Sequence, residues 1–350
     1  MDDFLRISGS QFTYRGQSVR LRGMNFKHAS SLYTWNAGSW PTMYAEASTE
    51  QEYERLSQWG GNHVRVPVSY HWWLPTAAVP TARPADAWRL LDQEIAWAKK
   101  HRMWVYLNLM VWPGADGSNQ AGYFADADFW ASTAHQNSVV AFWEMIAEAY
   151  RDEPTVFGYD LLNEPSPPSQ EVYRQYMQRC SEAVWAKAPN QCTIIKLSSA
   201  NWNAYPAITG GPVAYSYHPY PPCAGGGNTP RPTVPDGAPN IVGEFGERWF
   251  YPDGHSQGGG TVACGGGGEW TQAAIQAYEA VGDHWSHFVM RERGPREGPG
   301  AGGHAFGVYT PGRWPEPNYA WNGANRFANP WNAMIGVVQN GFAVGSVRPL

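Results

Sequence analysis

Eight short apolar runs recur along the chain, and most are separated by segments with the spacing of amphipathic helices. The runs are VRLRGMNF, NHVRVPV, MWVYLNLMV, TVFGYDLLNEP, CTIIKLS, VAYSYHPY, NIVGEF and HWSHFVM. Strands that alternate with helices are typical of a parallel sheet. Eight units favour an α/β fold of the closed (β/α)8 barrel type over an open doubly wound sheet. No GxGxxG turn follows a strand to support the open alternative.

The remaining segments fit one barrel domain over residues 1–350. The stretch FLRISGSQFTYRGQSVRL predicts a short N-terminal β-hairpin before the first barrel strand. Gly- and Pro-rich stretches follow the last three strands, at residues 219–240, 252–268 and 291–321. Because catalytic loops of such barrels follow the C-terminal ends of the strands, we interpret these stretches as long loops on that face.

Polar and aromatic side chains lie at or near several strand ends. They are Arg65 on the second strand, Asn163 and Glu164 at the end of the fourth, His218 and Tyr220 at the end of the sixth, Glu244 after the seventh and Trp285 on the eighth. In the fourth strand a buried apolar run delivers Glu164 directly before Pro165, which stops the strand. A carboxylate at the lip of a buried strand is costly unless it has a use.

Two carboxylates on the fourth and seventh strands would face each other across one barrel mouth. Acetal hydrolysis needs such a pair, because one group protonates the leaving oxygen and the other attacks the anomeric carbon or activates water. Carboxyl groups about 5–5.5 Å apart indicate retention, whereas about 6.5–9.5 Å indicates inversion. Glu247 is an alternative to Glu244, but Glu244 follows the strand residues Ile241 and Val242 directly.

The chain contains 19 Trp, 19 Tyr and 13 Phe, more aromatic surface than a core of this size requires. Exposed indole rings suit the flat faces of sugar rings. The candidates for sugar stacking follow strand ends and are Trp72, Trp73, Trp112, Trp202 and Trp249. The alternative for each is packing in the core.

Composition and patterning exclude other functions. The net charge of −5 provides no basic surface for nucleic acid, and no apolar run approaches the roughly 18 residues of a membrane span. The four cysteines form no CxxC pair, so we expect no metal site. Cys223 and Cys264 lie in loops and could form a disulfide, whereas Cys180 and Cys192 are either buried thiols or a second pair.

The motifs GYDLLNEP, YHPY and IVGEFG, in this order on successive strands, resemble glycoside hydrolase family 5. This family belongs to clan A, the cellulase-like retaining β-glycosidases whose two catalytic glutamates end strands four and seven. The resemblance extends from VRLRGMNF to HWSHFVM. It implies that Glu164 is the acid/base and Glu244 the nucleophile of a double displacement.

The resemblance also implies roles for the surrounding residues. Arg65 would favour the ionised form of Glu244, and Tyr220 would hold that carboxylate. His218 would lie near Glu164, and Asn163 would donate to the sugar 2-hydroxyl.

The resemblance assigns roles to two more residues and shows one departure from the family pattern. Trp285 would form the floor under the cleaved sugar, and Asn25 would support the site from behind. One departure concerns the third strand, which in many members ends with a histidine but here offers Met110 and Trp112; His71 is a candidate for that space.

These observations predict a retaining hydrolase of β-linked glycans that uses no metal or cofactor. The expected substrate is an oligo- or polysaccharide, foremost a β-1,4-glucan cut internally. Mannanase, exo-β-glucosidase-type or transglycosylase activity, and a non-catalytic carbohydrate-binding barrel, are the alternatives. We expect a monomer. The start MDDFLRISG has no apolar leader segment, which leaves secretion after leader removal or a cytoplasmic location.

Overall fold

An eight-stranded closed barrel forms the centre of the molecule. The computed structural model describes residues 3–26, 48–75, 82–115, 126–196, 204–221, 231–246, 269–288, 290, 331–343 and 347–350. Every neighbouring pair of barrel strands is parallel. The predicted (β/α)8 fold class is therefore confirmed.

The barrel strands follow one another in chain order, and the last pairs with the first. They are β4 (Arg22–Asn25), β5 (His63–Ser69), β6 (Trp104–Val111), β7 (Val156–Asp160), β8 (Cys192–Lys196), β9 (Val213–Tyr217), β10 (Asn240–Val242) and β11 (His284–His287). This order is the one that right-handed strand–helix–strand crossovers produce when a sheet closes on itself.

Helices connect most of these strands and cover the barrel. They are α1 (Glu50–Trp59), α2 (Tyr70–Trp73), α3 (Pro84–Lys100), α4 (Ala127–Ala131), α5 (Thr133–Tyr150), α6 (Gln170–Lys187), α7 (Glu269–Val281) and α8 (Trp331–Phe342), with a 3-10 turn at Pro235–Gly237. No helix within the described ranges is long and apolar enough to cross a membrane.

Helix α1 shows how local sequence fixes its ends. It begins at the N-cap Thr49, whose backbone N–H donates to the Glu52 carboxylate at 2.7 Å. It ends at Gly60, whose φ of 104° only glycine adopts readily. The capping box thus uses Thr49 and Glu52.

The outward faces of the strands pack against the helices. Val64, Val66 and Val68 alternate along β5 and are fully buried in this layer. Residues with the other parity point into the barrel, because successive side chains of a strand lie on opposite faces. The same alternation determines which residues can reach the catalytic face.

A three-stranded antiparallel sheet contains the predicted hairpin and lies at the N-terminal end of the barrel. Its strands are β1 (Arg6–Ser8), β2 (Gln11–Tyr14) and β3 (Gln17–Val19). Phe12 packs edge-on against Phe157 and His284, with ring centroids 5.5 and 4.9 Å apart. The N-terminal end is therefore closed by apolar packing, which leaves ligand access to the C-terminal end.

The interior of the barrel becomes polar toward that end. The His63 Nε2 lies 2.7 Å from the Ser286 hydroxyl, which also lies 3.0 Å from the Tyr106 hydroxyl. Burial lowers the pKa of His63 to about 3, so this imidazole is neutral. His63, Tyr106 and Ser286 therefore form an uncharged polar layer beneath the charged residues at the C-terminal end of the barrel.

Several sequence-based expectations fall outside the described residues. These are the loops 252–268 and 291–321, and Cys223, Cys264, Trp202, Trp249 and Glu247. Cys180 and Cys192 are described and are buried free thiols, so the second-pair alternative is wrong.

Candidate active site

Glu164 and Glu244 converge at the C-terminal end of the barrel. Glu164 follows β7 and Glu244 follows β10, three strands away around the barrel. One carboxylate oxygen of each glutamate and one ring nitrogen of His218 all lie within 4.8 Å of one another. The side chain of Glu164 is 33% exposed and that of Glu244 only 7%. The more exposed carboxyl can therefore exchange protons with solvent while the other is shielded.

The Arg65 guanidinium is fully buried and connects the two sides of the site. Its Nη1 donates to Glu244 at 2.6 Å, and its Nε and Nη2 donate to Asp160 at 3.1 and 3.0 Å. Burial alone would lower the pKa of Arg65, but the carboxylates of Glu244 and Asp160 raise it above its ordinary value. The group is thus a permanent cation in direct contact with Glu244.

Two asparagines complete the hydrogen bonds of Arg65. Asn25 accepts at 2.8 Å and donates through Nδ2 to the Gly243 carbonyl at 2.9 Å. Asn163 accepts from Arg65 at 2.9 Å through Oδ1. This orientation directs the Asn163 Nδ2 away from Arg65 and leaves it available as a donor to a ligand.

His218 and Tyr220 each contact one of the glutamates. The His218 Nδ1 lies 2.6 Å from Glu164 and 3.6 Å from Glu244, and the Tyr220 hydroxyl donates to Glu244 at 2.8 Å. Burial lowers the pKa of His218 well below its ordinary value, so the imidazole is neutral. The two side chains are thus divided between the glutamates, His218 beside Glu164 and Tyr220 on Glu244.

The backbone at Glu164 adopts the left-handed region, with a φ of 46°. A side chain in this region is strained by roughly 1 kcal/mol or more relative to glycine. The strain is tolerated where the surrounding contacts hold the residue, here the 2.6 Å contact with His218 and the following Pro165. The site therefore keeps a carboxylate in a position that the backbone alone would disfavour.

Asp160 and Lys196 also face the site, and sequence reasoning did not single them out. Asp160 is fully buried in β7, and Lys196 at the end of β8 is 5% exposed. Burial raises the pKa of Asp160 to about 6, although Arg65 opposes the shift. A signal was present in the sequence, because each is a charge within or at the end of an apolar strand.

The prediction that Trp285 forms the floor of the site is wrong. Trp285 is fully buried on β11 and faces the helix layer, where its Nε1 donates to Glu279 at 2.8 Å and its ring stacks on Phe342. Strand alternation explains the error, since its neighbour Ser286 is the residue that points into the barrel. Phe288, further along, approaches Tyr220 with ring centroids 6.4 Å apart.

Trp72 and Trp112 are also packed in the core. Trp72 is fully buried in α2, and Trp112 is 1% exposed with its ring edge-on to Phe129 at 6.1 Å. Neither offers an open ring face, so the prediction of a stacking platform is wrong for both. The core-packing alternative holds for them and for Trp73, which is 3% exposed.

A metal ion does not fit this cluster as it stands. The 2.6 Å between the His218 Nδ1 and the Glu164 oxygen is a hydrogen-bond distance. Two ligands of one zinc ion would lie roughly 3.3 Å apart around a tetrahedral centre. The buried Arg65 cation beside Glu244 also disfavours a second cation.

Known proteins resemble this chain in sequence and in structure. The β-glucanase from Saccharophagus degradans superimposes with a TM-score of 0.60 at 18% identity, covering 83% of this chain and 85% of that one. The endocellulase from Pyrococcus horikoshii superimposes with a TM-score of 0.62 at 14% identity, over 97% and 98% of the two chains. At these identities the likeness shows the fold alone.

Curated relatives match over a shorter region. The probable glucan 1,3-β-glucosidase A of Emericella nidulans is 27% identical over 190 residues, which are 51% of this chain and 45% of the relative. Endoglucanase C of Acetivibrio thermocellus is 24% identical over 157 residues, 43% of this chain and 44% of the relative. The chain thus spans less than half the length of these relatives.

A family model matches a longer stretch of the sequence than these two relatives do. The model described as Cellulase (glycosyl hydrolase family 5) matches residues 12–248, more than half of the chain. The match includes the segments that carry both glutamates. The chain therefore belongs to glycosyl hydrolase family 5.

Proposed function

We propose that this protein, as a single barrel domain, hydrolyses β-linked glucans with retention of anomeric configuration. The observation that carries the proposal is the proximity of the two carboxylates, whose nearest oxygens lie within 4.8 Å. This spacing supports double displacement, because inversion requires room for a water molecule between the carboxyl groups. No cofactor enters the reaction.

In the first step Glu244 attacks the anomeric carbon while Glu164 gives its proton to the departing glycosidic oxygen. The glycosidic C–O bond breaks and an ester forms between the sugar and Glu244. In the second step Glu164 removes a proton from water, the resulting oxygen attacks the anomeric carbon, and the ester bond breaks. Both groups return to their starting states.

The surroundings of the two glutamates support this division of roles. Arg65 and Tyr220 both donate to Glu244, which favours its ionised, attacking form. Glu164 contacts only the neutral His218 among the hydrogen-bond partners described for its side chain, so no cation is hydrogen-bonded to it there. The Asn163 Nδ2 would donate to the sugar 2-hydroxyl, a contact that strengthens at the transition state.

The names of the relatives support a glucan substrate. A glucan 1,3-β-glucosidase and an endoglucanase are among them. We propose internal cleavage of a β-1,4-glucan first, as the family resemblance implies. Terminal cleavage of a β-1,3-glucan is the second candidate, which the glucosidase relative favours.

The first test is a screen of the purified protein against cellulose derivatives, mixed-linkage glucan, β-1,3-glucan, mannan and xylan. Products are resolved by chain length. Mixed oligosaccharides appearing early from one polymer support internal cleavage, and glucose alone supports terminal cleavage. Binding without any product contradicts the proposal and favours a carbohydrate-binding barrel.

The residue roles are tested on an aryl β-glycoside or on the glycan found in the screen. Glu164→Gln and Glu244→Gln should each lower kcat at least several hundredfold, whereas Asp152→Asn, a substitution on the exposed surface, should not. A Glu244→Gly enzyme supplied with azide should release the α-configured glycosyl azide, because azide occupies the space of the missing carboxylate. A β-configured azide would contradict the role of Glu244.

A further inference from the structure

Asp160 and Lys196 are two buried, oppositely charged residues beneath the glutamates. Asp160 lies inside the barrel on β7, where Arg65 contacts it. Lys196 ends β8 with the inward parity, since Thr193 of that strand contacts Ser181 of the helix layer. The mechanism proposed above assigns neither of them a step.

Asp160 shares the Arg65 cation with Glu244. Its Oδ2 accepts two of the five hydrogen bonds from the guanidinium, and Glu244 accepts one. Its Oδ1 has no hydrogen-bond partner among the described residues, and the same holds for both polar side-chain atoms of Asn108. Asn108 is the neighbour of Asp160 in the pairing of β6 with β7. Asp160 can therefore hold a proton on Oδ1 or carry a charge that Oδ2 presents to Arg65.

Lys196 opposes this carboxylate. Burial lowers the pKa of Lys196, and the carboxylates of Glu164, Glu244 and Asp160 counteract that shift. A buried ammonium in this position stabilises the ionised form of each nearby carboxylate. Its effect on Glu164 is thus opposite in sign to that of Asp160.

Five side chains form one charged group at this end of the barrel: Arg65, Asp160, Glu164, Lys196 and Glu244. Their charges sum to zero in both halves of the proposed reaction. Asp160 and Glu244 are anions in the resting enzyme, Arg65 and Lys196 are cations, and the protonated Glu164 is neutral. In the glycosyl-enzyme Glu244 is an uncharged ester and Glu164 is the anion, so the sum is again zero. Without Asp160 the group would carry one excess positive charge, and without Lys196 one excess negative charge.

We propose that Asp160 and Lys196 are an opposed pair of positioning residues that sets the upper pH at which Glu164 still holds its catalytic proton. The inference rests on the proposed function, because it assigns the basic limb of the pH profile to Glu164. Asp160 moves that limit up and Lys196 moves it down.

Substituting Asp160 or Lys196 leaves the other titratable groups around them in place, so those groups do not account for a shift in the pH profile. The titratable and charged side chains that face Asp160 or Lys196 electrostatically are Arg65, Tyr106, Glu164, Tyr173, Tyr205, His218 and Glu244. The three tyrosines have pKa values raised by burial, and His218 is neutral. The charges of the group therefore come from its carboxylates, Arg65 and Lys196.

The test measures kcat/KM against pH for four forms of the full chain. Asp160→Asn removes an anion, so we expect the basic limb to move to lower pH by about one unit. Lys196→Met removes a cation, so the basic limb should move to higher pH by about the same amount. The acid limb of Asp160→Asn should move less, because Asp160 has a pKa of about 6 and is mostly protonated below it.

The double variant Asp160→Asn/Lys196→Met provides the sharpest comparison. Its basic limb should return to within about 0.3 pH units of the wild type, because the two removed charges cancel. The matched surface controls are Asp152→Asn and Lys187→Met, whose side chains are 87% and 42% exposed. Neither control should move a limb, since solvent screens exposed charges.

Three outcomes would overturn the inference: unshifted limbs in both single variants, shifts of the same sign, or a double variant that retains a full shift. A purely structural role would lower kcat without moving either limb. If Asp160→Asn fails to fold, Lys196→Met and Lys196→Gln decide, and both must move the basic limb upward. An inactive wild type, or an active Glu244→Gln variant, would instead contradict the proposed function.

Discussion

Replacing Arg65 with lysine should separate the geometry of its guanidinium from its charge. The guanidinium donates five hydrogen bonds, to Glu244, Asn25, Asn163 and twice to Asp160, over distances of 2.6 to 3.1 Å. A lysine ammonium keeps the positive charge but offers at most three donors from a single point. At least two of these buried contacts are therefore lost.

The expected magnitudes follow from that count. A buried hydrogen bond to a charged group contributes about 1.5–3 kcal/mol, so Arg65→Lys should lower the free energy of unfolding by about 3–6 kcal/mol. Glu244 loses its shortest contact, at 2.6 Å, and with it a fixed orientation toward the anomeric carbon. A loss of about 100-fold in kcat/KM, or about 2.7 kcal/mol, is expected.

Urea unfolding followed by tryptophan fluorescence measures the first quantity, and initial rates under conditions where the variant is folded measure the second. Arg22→Lys is the matched control. Arg22 forms a two-point contact of 2.7 Å with Glu279 in the helix layer, away from the glutamates. This control should lose stability by about 1–3 kcal/mol but keep its kcat/KM.

The reasoning is refuted if Arg65→Lys loses less than about 1 kcal/mol of stability and keeps the wild-type kcat/KM. That result would mean that charge alone positions Glu244 and that the fork of donors is incidental. Equal losses of kcat/KM in Arg65→Lys and Arg22→Lys would also contradict it, because the effect would then follow general destabilisation.

Three further outcomes can be measured by urea unfolding. Glu164→Gly should be about 1 kcal/mol more stable than Glu164→Ala, because φ is 46° there; equal stability would remove the argument for strain. Phe12→Ala should lower stability by about 3–5 kcal/mol, and a loss below 1 kcal/mol would mean that the N-terminal sheet does not stabilise the barrel. Burial lowers the pKa of His287 to about 3, so wild-type stability should fall as pH decreases from about 6.5 toward 3; His287→Leu should reduce that slope by about 1.4 kcal/mol per pH unit, and an unchanged slope would refute the assignment.

The barrel could be predicted from the sequence because each strand is an apolar run of recognisable length. MWVYLNLMV became β6, all of whose residues are buried, and the Asn-Glu-Pro segment followed β7 as expected. The stretch STEQEYERLSQWG predicts a capping box at Ser48, with Glu50 and Gln51 behind it, and this prediction is wrong by one residue because Ser48 and Thr49 are both good N-cap residues. The structure uses Thr49, the position from which Glu52 reaches back to the backbone.

The site was predictable where a residue lies past the end of its strand and unpredictable where strand parity decides. Glu164, His218, Tyr220 and Glu244 all lie in that position and converge. Trp285 lies within β11, where its parity turns it toward the helices, and a parity error of one residue reverses the face. Sequence alone did not give that parity, because both faces of a barrel strand are buried and apolar.

Asp160 and Lys196 emerged only from the structure, because neither lies past the end of its strand. A rule that ranks residues after strand ends passes over Asp160, which lies inside the strand, four residues before Glu164. Yet its burial, its two bonds from Arg65 and its raised pKa couple it to the charge on Glu244. A carboxylate that shares a buried cation with a nucleophile affects when that nucleophile is ionised, whether or not it contacts the substrate. Charges in the interior of the barrel should therefore be considered together with those at its mouth when the pH range of this enzyme is explained.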